Sequence, residues 1–509
     1  MPTPGIRHVF VLMLENRSFD HMLGFSGITG TDAASGQPTR IQGLSGTESN
    51  SYNGKTYTVL PNADYTMPAD PPHEFPDVLQ QLCGPGATYP HGGAYPPITG
   101  DGFVASHAAK AGPNGPGEIM KCYHPNQLPV LNALAREFAV CDNWFASMPG
   151  PTWPNRLFVH GASSGGLDHS PTTLEILQWE IVSGFPFPSG TIFDTIRGAN
   201  VPWRLYAGDD FPMVAALKGI QLPLIHPYHQ FAGDVARAGY PAAYTFIEPS
   251  YNVLADYRCS TSQHPLDDVT RGESLIKCAY ESIRNSPLWN ESLLILTWDE
   301  PGGFYDHVFP PGAPAPGDTV PGVPHNQFGF TFQQYGGRVP AVAISPLIPR
   351  NTIDHRLYDH TSIPATLEAL FGLSPMTQRD AMANSLTPLL SLASPRGDAP
   401  ATLPEPAHSG IGGCPPFSCS GGGAMAQSIL AQQTPVARPR DSIDEGNLPG
   451  VLQAALRSEL ALAPERKDEI IARFQTLKTR EDAMAYLDQV RLKVDAAKAS
   501  ASSIAAPKP

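Results

Sequence analysis

Short apolar runs of strand length alternate along the chain with segments of helical period, and this alternation limits the fold more than any other feature. The runs at 7–14, 201–207, 242–247, 292–298 and 339–345 are β-branched, aromatic and aliphatic, while helical spacing falls at 126–138, 191–197, 229–237, 271–285 and 361–371. Such alternation builds α/β layers around a mostly parallel central sheet flanked by helices, with the ligand site expected beyond the carboxyl ends of the strands. The connections 25–120 and 301–338 carry much of the Gly and Pro and are expected to wall or cover that site.

With 41% hydrophobic and 16% charged residues, the 509-residue chain can bury a sizeable core and does not read as disordered. A net charge of −14 without a stripe of Lys and Arg argues against nucleic acid as a partner. No apolar run is long enough to span a bilayer, and the first stops at Glu15-Asn16-Arg17, so no secretory signal is expected. Cytoplasmic residence and export by a non-classical route both stay open. Seven cysteines without CxxC pairs argue against a zinc-thiolate site and leave disulfides open.

Pro, Gly and Ser accumulate from Ser394 to about Asp441, so the chain divides into a catalytic domain at 1–394, a linker at 395–445 and a small helical module at 446–498. In the module, Leu452, Leu456 and Leu460 recur at i, i+4, Pro464 suits a first turn, and Thr479 precedes Asp482 as in a capping box. Three short amphipathic helices are expected there, docking on their own enzyme or mediating self-association.

Two strands end in bursts of polar groups. Phe10 to Leu14 runs into Glu15-Asn16-Arg17-Ser18-Phe19-Asp20-His21, and Leu293 to Trp298 runs into Asp299-Glu300-Pro301-Gly302-Gly303-Phe304-Tyr305-Asp306-His307. If the strands are parallel their acids converge on one sheet edge, where carboxylate and amide oxygens suit a divalent cation. Between them, Gly150-Pro151-Thr152-Trp153-Pro154-Asn155-Arg156 reads as a rigid loop presenting one hydroxyl, with an Arg four residues on that could hold a phosphate oxyanion. Of sixteen histidines, those beside Pro, Gly or acids are the candidates for phosphate binding or protonation of a leaving oxygen: His73, His226, His229, His264, His307 and His360. Gly161-Ala162-Ser163-Ser164-Gly165 fits the nucleophile elbow of a serine esterase and follows the strand-like Leu157-Phe158-Val159-His160. Gly166 to Pro171 is a poor helix start, however, and an elbow must pass directly into a helix.

Together with Asp70-Pro71-Pro72-His73, these stretches over about 7–390 resemble the bacterial and plant phosphoesterase family that includes non-specific phospholipase C and related acid phosphatases. The resemblance implies an alkaline-phosphatase-like fold and one divalent metal ion held by Glu15, Asn16, Thr152, Asp299 and Glu300, with Ca²⁺, Mg²⁺, Mn²⁺ and Zn²⁺ all open. Thr152 would be ligand and nucleophile, forming a phosphothreonine. His73 and His264 would contact the phosphate, with His229, Arg156 and His307 as further candidates for binding or proton transfer. Trp153 stands where the family often has a polar residue, and Pro301 where it often has His. The expected reaction is phospholipase C cleavage of a phospholipid at a transiently contacted membrane surface. The alternatives are acid phosphatase action on a small phosphate ester, or an interaction protein with a degenerate catalytic body.

Overall fold

The computed structural model describes residues 5–505 apart from 112–114, 179–183, 186, 319–324, 420–441 and 445. Ten strands make one mixed sheet: β1 (His8–Leu14), β2 (Thr29–Asp32), β3 (Pro38–Arg40), β4 (Ala139–Cys141), β5 (Trp203–Ala207), β6 (Ile225–Pro227), β7 (Tyr244–Glu248), β8 (Ser292–Trp298), β9 (Ala341–Ile344) and β10 (Thr352–Asp354). Their order is β3-β2-β10-β4-β9-β8-β1-β7-β5-β6. Neighbours are parallel except at β9, antiparallel to both β8 and β4, and at the β2/β3 edge. The central strands β1 and β8 are buried except at His8, so they read as continuous apolar runs and not as an alternation. Strands β4, β6 and β10 escape detection by pattern because three residues each carry too little of it.

The helices that matter for the site are α1 (Pro129–Glu137), α2 (Thr152–Gly161), α3 (Ile192–Gly198), α4 (Phe231–Val235), α5 (Val269–Arg284) and α6 (Ser362–Phe371). Phe10 of β1 and Tyr206 of β5 both meet Phe231 of α4, at ring distances of 6.0 and 5.1 Å. On β7, Phe246 meets His160 of α2 at 4.7 Å and Tyr244 meets Phe193 of α3 at 6.0 Å. Phe10 pairs with Thr245, one residue from Tyr244 and Phe246, so the two sets lie on opposite faces of the sheet. The α/β architecture with helices on both faces is as expected.

Two local expectations are corrected. Leu157 to His160 is not a strand but the second half of α2, and Thr152 is not in a loop but opens that helix, with Pro151 as N-cap.

Residues 399–419, within the stretch read as a linker, lie along the body. Arg284 donates to Ala399 O, Tyr280 to Pro400 O, Lys277 to Leu403 O and Arg271 to Pro415 O, while disulfides join Cys259 to Cys414 and Cys278 to Cys419. The following part of that stretch, 420–441, lies outside the described residues. The chain ends in α7 (Leu448–Leu462), α8 (Lys467–Phe474) and α9 (Arg480–Ala505), the last much longer than expected. Thr479 and Asp482 make both bonds of a capping box ahead of α9. Helix α7 and the start of α9 meet the body, where Arg457 donates to Leu217 O at 2.8 Å and Arg480 pairs with Asp256 at 2.7 Å, while Arg473 of α8 pairs with Glu459 of α7. Among the described residues no helix is long and apolar enough to cross a membrane.

Candidate active site

Register builds the site. Leu14 lies opposite Trp298 in the parallel β1/β8 pair, so Glu15-Asn16 and Asp299-Glu300 leave the sheet side by side. All four are fully buried. The Asn16 N–H donates to Asp299 Oδ1 at 2.9 Å, and the Arg17 N–H to Glu300 O at 2.9 Å, locking the two loops together. Asn16 sits at φ 55°, a left-handed conformation that Asn tolerates better than most residues. Gly302, at φ 65°, passes so close behind it that a Cβ would stand 2.3 Å from Asn16 O.

Helix α2 brings the hydroxyl. Asn155 accepts from Met148 N and donates to the carbonyls of Met148, Gly150 and Pro151, which fixes the entry to α2. Thr152, 3% exposed, then donates its hydroxyl to Asn16 Oδ1 at 3.1 Å. As the first residue of a ten-residue helix it stands where unpaired N–H groups and the helix dipole favour an anion. One turn on, Arg156 donates from Nε to Asp299 Oδ2 at 2.8 Å and from Nη2 to the carbonyls of Met13 and Leu14, so only Nη1 is left unpartnered.

The histidines separate. His73 Nε2 lies 3.2 Å from Asn16 Nδ2, and its Nδ1 lies 2.6 Å from Pro71 O. His264 accepts from Leu266 N at Nδ1, which leaves Nε2–H directed at Asp70 Oδ1, 3.5 Å away. Its ring lies flat on Tyr257 at 3.4 Å between centroids. His360 Nε2 lies 2.5 Å from Asp299 O. By contrast His307 donates to Asp20 at 2.7 Å in a separate cluster, and His229 stands beyond edge strand β6, three strands from β1. His226, on β6 itself, is equally remote from β1. The structure does not bring these three to Thr152. Ser163 lies just past the α2 C-cap with its hydroxyl accepting from Gly165 N at 2.9 Å, and no strand precedes it, so the esterase elbow is absent.

Burial dominates the electrostatics. It raises the Glu15 carboxyl to about 8, with Asp299 adding to the rise and Arg156 opposing it. Burial likewise raises Asp299, against Arg156, and lifts Glu300 well above the usual range. Burial alone would lower His73, but Glu300 and Asp70 outweigh it and push it up to about 10. His264 is held well below its ordinary value by burial, then by the nearby His73 and Arg17.

Crowded buried acids of this kind call for a cation. Glu15 Oε2 and Glu300 Oε1 are buried without a hydrogen-bond partner, so each keeps a lone pair for a cation. Oxygen-only donors fit a hard divalent ion. A tighter group, Asp20, Asp306 and His307, has ligand atoms within 4.8 Å of one another, but buried Arg338 pairs with both carboxylates at 3.0 and 2.8 Å and already supplies the positive charge.

Comparison with known proteins decides the family. The model of the Phosphoesterase family matches residues 6–374. The chain belongs to that family. Non-specific phospholipase C6 of Arabidopsis thaliana is 38% identical over 421 residues, spanning 79% of this chain and 75% of its own length. Phospholipase C A of Mycobacterium tuberculosis is 28% identical over 464 residues, spanning 81% and 83%. Among solved structures, a protein of the alkaline phosphatase superfamily from Vibrio parahaemolyticus aligns over 52% of this chain and 63% of its own, at 15% identity and a TM-score of 0.30. This phosphoesterase is a hydrolase of phosphoric esters. A non-enzymatic role with a degenerate body is set aside accordingly.

Asp70, Asn155, Tyr257 and His360 also shape the site. Asp70 stands in the same short motif as His73, and Asn155 four residues from a helix N-cap; Tyr257 carries no signal in the sequence.

Proposed function

We propose that this phosphoesterase cleaves phospholipids in the manner of a phospholipase C, through a covalent phosphothreonine at Thr152. One observation carries the reading: the Thr152 hydroxyl, at a helix N-terminus, lies 3.1 Å from Asn16 Oδ1 in the same buried cluster as the unpartnered oxygens of Glu15 and Glu300. Glu15, Asn16, Thr152, Asp299 and Glu300 would hold one divalent cation, whose charge would lower the hydroxyl's pKa and neutralise phosphoryl oxygens. Thr152 Oγ attacks phosphorus, the bond to the diacylglycerol oxygen breaks, and that oxygen takes up a proton. Water then attacks the phosphothreonine, freeing the phosphorylated head group and restoring the hydroxyl. His73, beside Asn16, and His264 through Nε2–H would contact the phosphate. Arg156 fixes Asp299 in place and offers Nη1 to a phosphoryl oxygen. Relatives named as phospholipases C support the diester class.

The test compares the native enzyme with Thr152→Ala on a phosphocholine diester and on a phosphate monoester, each after chelation and cation add-back. Loss of diester cleavage by at least about 10³-fold, in the variant and after chelation alike, is expected for a nucleophile and its cation. Turnover of the monoester alone would make the enzyme a phosphatase, and full diester activity in Thr152→Ala would remove the nucleophile.

A further inference from the structure

The start of α7 reaches into the site from the far end of the chain, beyond residue 374 where the family match stops. The Asn447 side chain donates from Nδ2 to Glu15 Oε1, and its backbone N–H donates to the Tyr257 hydroxyl at 3.2 Å. Tyr257 is the ring stacked on His264. Three residues on, Gly450 lies on Trp153, the neighbour of Thr152, so closely that a Cβ would stand 1.4 Å from the indole. Asp444 anchors the approach by accepting from both Thr173 N and Thr173 Oγ1 at 2.7 Å. One short segment thus touches the surroundings of Glu15, His264 and Thr152 at once, and Trp153 fills the face that α7 covers. Beside the segment, between the body and this end of the chain, a cavity of about 1500 Å³ is walled by Asp70, Tyr257, Asp444, Gly446 and Arg480.

We propose that Asn447 is a positioning residue of the active site: by engaging Glu15 Oε1 it turns the unpartnered Oε2 toward the cation position beside Asn16 and Thr152. This rests on the reading of Glu15 as a cation ligand. A ligand carboxylate held by an outer hydrogen bond is oriented before the ion arrives, and loss of such a partner costs about 10–100-fold in metal affinity or activity. The site is therefore a composite, with its helical end supplying one wall and one hydrogen bond.

Mn²⁺ is titrated into the full chain carrying Asn447→Ala or the isosteric Asn447→Asp, and its free fraction is followed by paramagnetic resonance; kcat, KM and melting temperature are measured in parallel on a phosphocholine diester. Both variants are expected to bind Mn²⁺ about 10-fold or more weakly and to lose kcat by a similar factor. KM and melting temperature should stay near native values, with Asn447→Asp the worse of the two because it sets a carboxylate against Glu15. Native Mn²⁺ affinity and kcat in both variants would overturn the proposal, as would a rise in turnover, which would make the segment a brake. Glu15→Gln is run alongside. If it too keeps native Mn²⁺ affinity, the ligand role of Glu15 has failed, and with it the proposal; if it loses affinity while the Asn447 variants keep it, only the positioning role has.

Discussion

Arg156 joins the two acid-bearing strand ends, holding the Asp299 carboxylate with Nε and the β1 carbonyls with Nη2. Both partners of the ion pair are buried, so removing the cation leaves an uncompensated charge in the interior. Arg156→Ala should cost about 3–5 kcal/mol in urea unfolding, whereas a loss below about 1 kcal/mol would mean that Asp299 is neutral in the native protein. The acids themselves were legible in the sequence because each pair follows a buried strand without a gap. Asn447 was not, since it meets Glu15 across 432 positions and nothing local marks an N-terminal helix residue as part of a distant site.

At the level of elements, α2 shows why spacing alone misleads. Pro151 and Pro154 suggested a rigid loop, yet Pro154 sits in the first turn, where its missing N–H is not needed. Four residues, Leu157 to His160, are too few to separate a strand from a buried helical turn. Helix α1 depends on a carboxylate in the same hidden way: Glu273 of α5, fully buried, accepts from Val130 N and Leu131 N at 2.8 Å each. Burial raises the Glu273 carboxyl from 4.5 to about 8 against those two bonds. The folded chain therefore holds this proton more tightly than the unfolded one, and stability contributed here is full below pH 4.5 and lost as pH rises toward 8. Unfolding free energies of the native chain, compared with Glu273→Gln across that window, should show the native chain falling relative to the variant, by about 1.4 kcal/mol for each pH step of one between those two values. Parallel pH profiles would mean that Glu273 is ionised throughout.

Across the whole molecule, the α/β layering was readable because buried central strands and the helices between them leave strong, long patterns. What was not readable is how the last hundred or so residues return to the body, since those contacts are backbone carbonyls, disulfides and single side chains without periodicity. The disulfides close loops of 155 and 141 residues, while Cys83, Cys122 and Cys141 stay unpaired. Replacing Cys259 and Cys414 together by Ser should lower the unfolding free energy by about 2–5 kcal/mol, and a reductant should do the same to the native chain; no change under reductant would mean that the strap is held by its hydrogen bonds alone. The central claim, that the ester bond is broken through Thr152, is tested most directly by quenching the native enzyme during turnover of a phosphocholine diester and mapping its peptides by mass. A phosphocholine adduct on Thr152 that disappears as substrate is exhausted is the predicted result. Steady turnover with Thr152 unmodified at every quench time, or an adduct on another residue, would contradict it.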